Sequence, residues 1–265
     1  MNKTMGALVM AMFLLPATAF GQLATLDRQG PDSIAIIQLD TVLDTQFPTL
    51  ETYNRLDLYG QYMMGEVGAY VNLPIGWTSV HLGDDQFVVG NVEVGAVYAL
   101  DLPTLSVTLH GGVLLPTLSE TVQRPFISLG RLTDTGAFVE NTMALRLGGT
   151  LRVNAGILFA QADLGLDYAL GDEAEFAGQD TVLRANAALG VGMPFFDVAL
   201  ESANRGRIGQ RGPATVAGLF DHTVALTAVG KFGLVKPFAS FLVPLDEYAR
   251  GEDWNVTLGV QIGLM

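Results

Sequence analysis

Along most of the chain apolar and polar residues alternate with a period of two. From Asn141 to Val153 the odd positions read Asn, Met, Leu, Leu, Gly, Leu, Val and the even ones Thr, Ala, Arg, Gly, Thr, Arg. The next segment repeats the pattern, with Leu158, Ala160, Ala162, Leu164, Leu166, Tyr168 and Leu170 opposed by Phe159, Gln161, Asp163, Gly165 and Asp167. At the C-terminal end Trp254, Val256, Leu258, Val260, Ile262 and Leu264 oppose Asn255, Thr257, Gly259, Gln261 and Gly263. Period two places successive side chains on opposite faces of a strand. The same reading predicts strands over 55–64, 66–77, 91–101, 104–115, 141–153, 155–170, 181–193, 195–204, 220–231, 234–244 and 254–264. A twelfth is expected over 33–42, where Ile36-Ile37 interrupts the alternation.

The connections alternate too. Those at 65, 102–103, 154, 194 and 232–233 are very short, whereas those at 78–90, 116–140, 171–180, 205–219 and 245–253 are long. Tight periplasmic turns and longer outer loops are the asymmetry of bacterial outer-membrane barrels. With 33–42 as the first strand the count is even and both termini fall at the periplasmic end. The expected fold is all-β, a transmembrane antiparallel up-and-down β-barrel of about 12 strands.

Composition agrees. The 265 residues are 49% hydrophobic and 15% charged, against about a quarter charged in ordinary soluble domains. The long apolar run, Ala7 to Ala19, is shorter than the roughly 20 residues of a spanning helix. It follows Lys3 and ends in Pro16-Ala17-Thr18-Ala19-Phe20-Gly21, the layout of a secretory signal peptide. Residues 1–21 are therefore expected to be the signal, cleaved after Ala19 or Gly21, and residues 22–265 the barrel. The formal charge is −13, and removal of 1–21 takes away one cation and no acid. So acidic a chain has little to offer a phosphate backbone, and no nucleic-acid partner is expected. The absence of Cys excludes disulfides, thiolate metal sites and cysteine nucleophiles.

Two features place the apolar face outward. The polar face is Gly, Ala, Ser, Thr and Asn with scattered charges of both signs, unlike the charge-dense surface of a soluble barrel. The aromatic residues of the apolar face also gather at strand ends: Trp77, Tyr168 and Trp254 at the outer end, Tyr62, Tyr98 and Phe196 at the inner end. Such girdles sit at the headgroups of a bilayer. The opposite parity collects Arg55, Asp57, Glu66, Glu93, Arg146, Arg152, Asp163, Asp167, Arg184, Asp197 and Glu201, with Asp221, Lys231 and Lys236. A charge facing hydrocarbon costs about 2–4 kcal/mol at the midplane, so these are expected in the lumen or at its rims. They serve there either as a network bracing a nearly closed barrel or as the lining of a narrow polar channel.

The loops offer further chemistry. Arg205, Arg207 and Arg211 lie among glycines, suited to lipopolysaccharide phosphates or an incoming anion, or simply solvated. The stretch 116–140 carries Arg124, Pro125, Phe126, Ile127, Leu129 and Arg131, and is expected either to fold into the mouth as a constriction or to cover it as a lid. Asp172, Glu173, Glu175 and Asp180, and Asp246, Glu247, Glu252 and Asp253, lack the fixed ligand spacing of a calcium loop, so no metal site is expected. The histidines are His81, His110 and His222. On the strand of His110, Ser106 lies about 13 Å away at about 3.3 Å per residue, too far for a nucleophile–base pair. No G-x-S-x-G, H-E-x-x-H or Walker loop occurs, so no enzyme and no cofactor are expected. The closing segment Thr257 to Leu264 has the polar–x–Gly–x–x–apolar–x–apolar form read by barrel-assembly machinery, with Met265 in place of the frequent terminal Phe.

Three runs, Glu66 to Trp77 (EVGAYVNLPIGW), Val92 to Tyr98 (VEVGAVY) and Leu109 to Thr117 (LHGGVLLPT), occur in the order of a strand with Leu-Pro, a GxxY strand and a strand ending in LPT. In this, residues 55–264 resemble the MetA-pathway phenol-degradation transporter family of outer-membrane barrels, although Leu118 stands where that family has Gly. The resemblance implies a channel for small solutes, often aromatic or hydrophobic, and supplies no catalytic residues. The sequence thus leads to a passive channel whose partners are outer-membrane lipid and lipopolysaccharide, the assembly machinery and a small-molecule solute. The competing expectation is a structural or adhesion barrel with a closed lumen and partner-binding loops.

Overall fold

A computed structural model describes residues 23, 26–44, 52–79, 86–118, 135–170, 181–208, 220–245 and 253–264. It is an antiparallel barrel of β1 (Ile34–Asp44), β2 (Thr52–Met64), β3 (Val67–Ser79), β4 (Gln86–Val89), β5 (Glu93–Leu102), β6 (Leu105–Leu114), β7 (Met143–Ala155), β8 (Leu158–Leu170), β9 (Thr181–Gly192), β10 (Phe196–Ile208), β11 (Phe220–Gly230), β12 (Val235–Pro244) and β13 (Asp253–Gly263). Strands pair in sequence order except that β3 pairs with both β4 and β5, and β1 pairs with β13 from Ile34↔Gly263 to Asp44↔Asp253, closing the ring. β4 and β5 are two parts of one barrel strand, so twelve strands make the wall, with the start of β1 and the end of β13 at the end of the tight turns.

Three hairpins explain that end. Met64↔Val67, Ala155↔Leu158 and Phe232↔Val235 each enclose two residues, the first being Gly65, Gly156 or Gly233 at φ 70, 66 and 65°. Glycine at the first central position followed by a residue of ordinary φ is the type II′ turn, whose twist matches antiparallel strands. The β7–β8 turn therefore falls at 156–157 and not at the expected 154. β10 runs to Ile208, beyond the expected 204, because Arg205↔Asp221 continues the ladder.

The expected strand 91–101 proves to be the turn-side part of a longer, broken one. β3 pairs with β4 at Ile75↔Val89 and with β5 at Asn72↔Glu93. Leu73 and Pro74 thus face three residues, Gly90, Asn91 and Val92, in a β-bulge. Pro74 lacks the N–H a regular ladder would need here, and the extra residue absorbs the defect.

Outside, the barrel is apolar from end to end: Ile37, Leu58, Leu109, Leu147, Leu151, Leu164, Leu189, Leu200, Leu226 and Leu258 are all exposed. A contiguous band of this kind is foreign to a soluble surface and fits hydrocarbon. Tyr62, Tyr98, Phe195, Phe196 and Phe232 ring the turn end, and Tyr168, Trp254 and Phe87 stand exposed at the loop end beside Trp77. All six girdle aromatics lie on the outer face.

The inner face is layered. At the turn end Ile34, Ile36, Tyr59, Tyr70, Val97, Ala99, Val229 and Phe238 form an apolar collar. This explains the broken alternation of β1, where Ile36 points into the collar and Ile37 into lipid. At the loop end a second collar joins Val42, Val88, Leu118, Ala137 and Phe138 to Tyr53, with Leu114, Ala144, Ala169 and Val182 beside it. Most of the charges lie between the two, while Asp197 and Lys236 stand at the level of the turn-end collar, across from Val229 and, by way of Gln261, in line with Ile36.

Flat side chains lie against the wall because glycine stands across from them. A Cβ on Gly190 would sit 2.2 Å from the Phe159 ring and one on Gly259 2.3 Å from Phe238; on Gly165 it would meet the Arg184 guanidinium at 2.4 Å. Each of these glycines is the direct cross-strand partner of the residue it accommodates. Gly190→Ala is expected to lift the Phe159 ring and destabilise the barrel by about 1–3 kcal/mol in urea unfolding from detergent. Combining it with Phe159→Leu should recover part of the loss, and full additivity would refute the steric coupling.

Candidate functional site: the lumen and its two inward segments

The middle of the lumen is a continuous ionic network. Arg146 Nη1 donates to Glu93 Oε2 at 2.7 Å and its Nε to Asp167 Oδ1 at 3.1 Å. Arg184 Nε lies 3.3 Å from the same Asp167 oxygen. Tyr70 donates its hydroxyl to Glu93 at 2.6 Å. Across the lumen Arg55 holds Asp57 in a fork, Nε and Nη2 each at 2.9 Å. Cross-strand register puts Arg146 opposite Asp167. Long side chains then reach two strands further, as Arg146 does to Glu93.

Of the eleven charges expected in the lumen, ten are buried inside. Arg152 stacks over Phe159 at 4.2 Å and donates to Gln161. Asp163 accepts from Gln161, Asp197 pairs with Lys231 at 2.6 Å, and Glu201 accepts from the Thr227 hydroxyl. Glu66 departs from the expectation. It lies in the turn after Gly65, exposed, and accepts a hydrogen bond from the outward-facing Tyr98, because the alternation of β3 only begins at Val67. Arg205 is likewise no loop residue: it sits in β10 and forks onto Asp221. Lys236 is buried in the lumen wall.

The periodic reading missed the residues that cross the lumen. The chain ahead of β1 turns into the barrel, and Asp27 and Arg28 grip different walls. Arg28 donates to Asp57 at 2.6 Å, Asn72 at 2.8 Å and Gln38 at 3.2 Å, on β2, β3 and β1. Asp27 accepts from Arg184 at 2.5 Å and from His110 at 3.0 Å, and its backbone N–H donates to Asp163 at 2.8 Å, on β9, β6 and β8. A carboxylate only accepts, so His110 Nε2 carries the proton. Burial alone would favour the neutral form of Asp27, but Arg184, His110 and Arg146 outweigh it and hold the carboxyl below the ordinary carboxylate range. Leu26 is fully buried, and with Leu23 it packs on Phe159, Ala188 and Ala199.

The second inward segment is the end of the long connection between β6 and β7. Its 3-10 turn (Thr135–Phe138) enters the mouth and docks on the bulge. Asn91 donates its amide to Gly136 O at 2.9 Å and Val139 O at 2.6 Å, and its Oδ1 accepts from Leu118 N at 2.9 Å. Thr117 donates to Gly90 O, and Phe138 covers the Arg55 guanidinium at 5.4 Å. Gly90 is required here, since a Cβ would lie 2.5 Å from Ala137 O. The Leu-Pro and LPT runs, far apart in sequence, therefore meet at one place, where Pro74 opens the ladder and Thr117 closes it. The described ends of this connection, 116–118 and 135–140, lie against the bulge, while Arg124 to Arg131, on which the expectation of a constriction or a lid rests, lie outside the described residues. So do His81, Arg211 and the acidic loop residues between 172 and 180 and between 246 and 252.

His110 faces Asp27 and the edge of Tyr70, and His222 Nδ1 lies 2.7 Å from Asn204 Oδ1. Among the described residues no group of three His, Asp or Glu is placed to hold a metal.

Two substitutions test this arrangement. Arg146→Met leaves Glu93 and Asp167 buried without their shared cation and is expected to cost about 3–5 kcal/mol in the same unfolding assay. Asn91→Ala removes the acceptor of the Leu118 amide. Its hydrogen exchange is expected to rise about tenfold or more, following the roughly 1–3 kcal/mol cost of an orphaned buried group. Unchanged exchange would show that Asn91 does not anchor the segment.

No family model matches the sequence, and no curated protein matches it. Solved structures do match. The COG4313 outer membrane channel from Pseudomonas putida F1 aligns over 93% of this chain and 100% of its own at 12% identity, with a TM-score of 0.64. The NanC porin aligns over 87% and 100% at 10% identity and TM-score 0.53. The KdgM porin, solved in complex with disordered oligogalacturonate, aligns over 88% and 99% at 10% identity and TM-score 0.51. At such identities the likeness is one of fold, and these neighbours are channels and porins: the architecture is that of outer-membrane barrel channels.

Proposed function

We propose that this protein is an outer-membrane channel through which small solutes pass by passive diffusion, the long loops facing outward and both termini the periplasm. The observation that carries the reading is the asymmetry of the lumen wall. The buried arginines of the wall, Arg55, Arg146, Arg152 and Arg184, all stand on β2 to β9, whereas on β10 to β13 the buried Asp197, Glu201 and Lys236 are interspersed with Ala199, Ala203, Thr223, Ala225, Thr227, Ser240 and Thr257, which are small or hydroxylic. The segments that narrow the lumen are chain connections seated on the wall, not wall side chains.

The two apolar collars support a solute with an apolar or aromatic body, and the ionic belt between them a solute that also carries a polar group. Small aromatic molecules fit both, in keeping with the MetA-pathway resemblance. Export by removal of residues 1–21, and recognition of Thr257–Leu264 by assembly machinery, complete the proposal. The latter is suited to its role because β13 supplies the final pairing with β1. Lipopolysaccharide is the expected neighbour of the outer girdle.

A second reading, a structural or adhesion barrel with a closed lumen, is favoured by the two segments inside it. Planar-bilayer recording and liposome swelling separate the two. The channel is expected to give discrete conductance steps and faster swelling in benzoate or phenol than in a trisaccharide. Absence of both in protein that still shows the heat-modifiable gel shift of a folded barrel would establish the closed form.

A further inference from the structure

The segment that crosses the lumen carries one acid and one base side by side, and the walls divide them. Arg28 binds the β1–β3 wall and Asp27 the β6–β9 wall, nearly opposite in a ring of this size. Behind them Gln61 donates to Gly30 O at 2.7 Å and Asp32 O at 2.8 Å, and Met63 N donates to the Ser33 hydroxyl. The segment is thus seated on β2, at the lumen centre and, through Leu26, on Phe159. Filling a lumen for stability alone favours apolar side chains, since two ionised groups must be stripped of water to lie there. The charges have to be accounted for by something else.

We propose that residues 26–33 form a fixed strap whose adjacent charges, Asp27 and Arg28, set the ion selectivity of the lumen, with Asp27 masking Arg184 and His110 on one wall and Arg28 masking Asp57 on the other. The proposal rests on the channel reading above. On one wall Asp27 bonds both Arg184 and His110, and with Asp27 neutral Arg184 keeps its share of Asp167 and its hydrogen bond to the Leu147 carbonyl. On the other, Asp57 is divided between Arg28 and Arg55. Asp40, close by on β1, is buried with Gln38 and Thr257 as its hydrogen-bond donors. Loss of Arg28 leaves this wall with an excess of carboxylate. Asp27 and Arg28 cancel in the net charge of the strap, which Asp32 leaves at −1, so net charge does not betray the division. The two neighbouring residues nevertheless act on permeation in opposite senses.

The test uses the full-length protein in a salt gradient across a planar bilayer. Asp27→Asn is expected to shift the permeability ratio toward anions and Arg28→Gln toward cations, each by about threefold for every kT of lumenal potential changed. The chain has no Cys, so Leu26→Cys provides a single thiol reporter of strap position. Its labelling by an impermeant maleimide is expected to be slow, and about tenfold or more faster when Asp27→Asn and Arg28→Gln are combined and both anchors lost. Wild-type current with selectivity unmoved in both single variants overturns the strap proposal and leaves the channel reading standing. Silence in wild type and in every folded variant overturns the channel reading, and the strap's role in selectivity with it. Silent wild type with conducting variants supports the strap as the obstruction. Labelling that is fast from the outset, or unchanged in the double variant, overturns the attachment itself.

Discussion

Every feature of this barrel depends on the pairing of β1 with β13. Hydrocarbon offers no partner for a peptide N–H or C=O, so a sheet survives in a bilayer only when its two edges meet and no ladder bond is left open. Closure fixes the parity of every strand at once. One face meets lipid, and the other meets a lumen of a width between that of eight-stranded barrels, which wall side chains fill, and that of wide porins. The ionic belt, the glycine slots and the inward segments are answers to that intermediate width.

The belt illustrates the electrostatics. Charges buried in a low-dielectric lumen cost several kcal/mol each unless paired, and pairing across strands is possible because cross-strand neighbours stand directly opposite. Arg146 with Asp167 is such a pair; the Arg184 guanidinium instead lies flat over its partner Gly165 and so reaches Asp167 and Asp27. Glycine on the inner face is thus as much a packing residue as leucine is on the outer one. It leaves the volume into which an aromatic ring or a guanidinium is pressed.

Much was legible in the sequence because the lipid boundary imposes a strict period. The strand count, the closed antiparallel order and the alternation of short with long connections follow from parity and from where the long connections fall. Parity fails where the chain leaves the ladder. Glu66 has the inward parity of β3, but it belongs to a turn, where alternation has no meaning. Arg205 reads as the start of a glycine-rich loop, yet its partner Asp221 draws it into β10. The bulge at Gly90 to Val92 is hidden because Pro74, which causes it, lies on the neighbouring strand.

The sequence by itself determined the barrel, since alternation and turn spacing are local properties that a bilayer reads directly. Only the tertiary structure decided what lies within it. Asp27 and Arg28 bear no periodic signature, and Asn91 resembles any turn residue. Their roles come from walls that are remote in sequence and adjacent only after closure. The two apolar collars were equally out of reach, because a residue's depth along the lumen depends on strand tilt and register, which the pattern of a single strand does not encode.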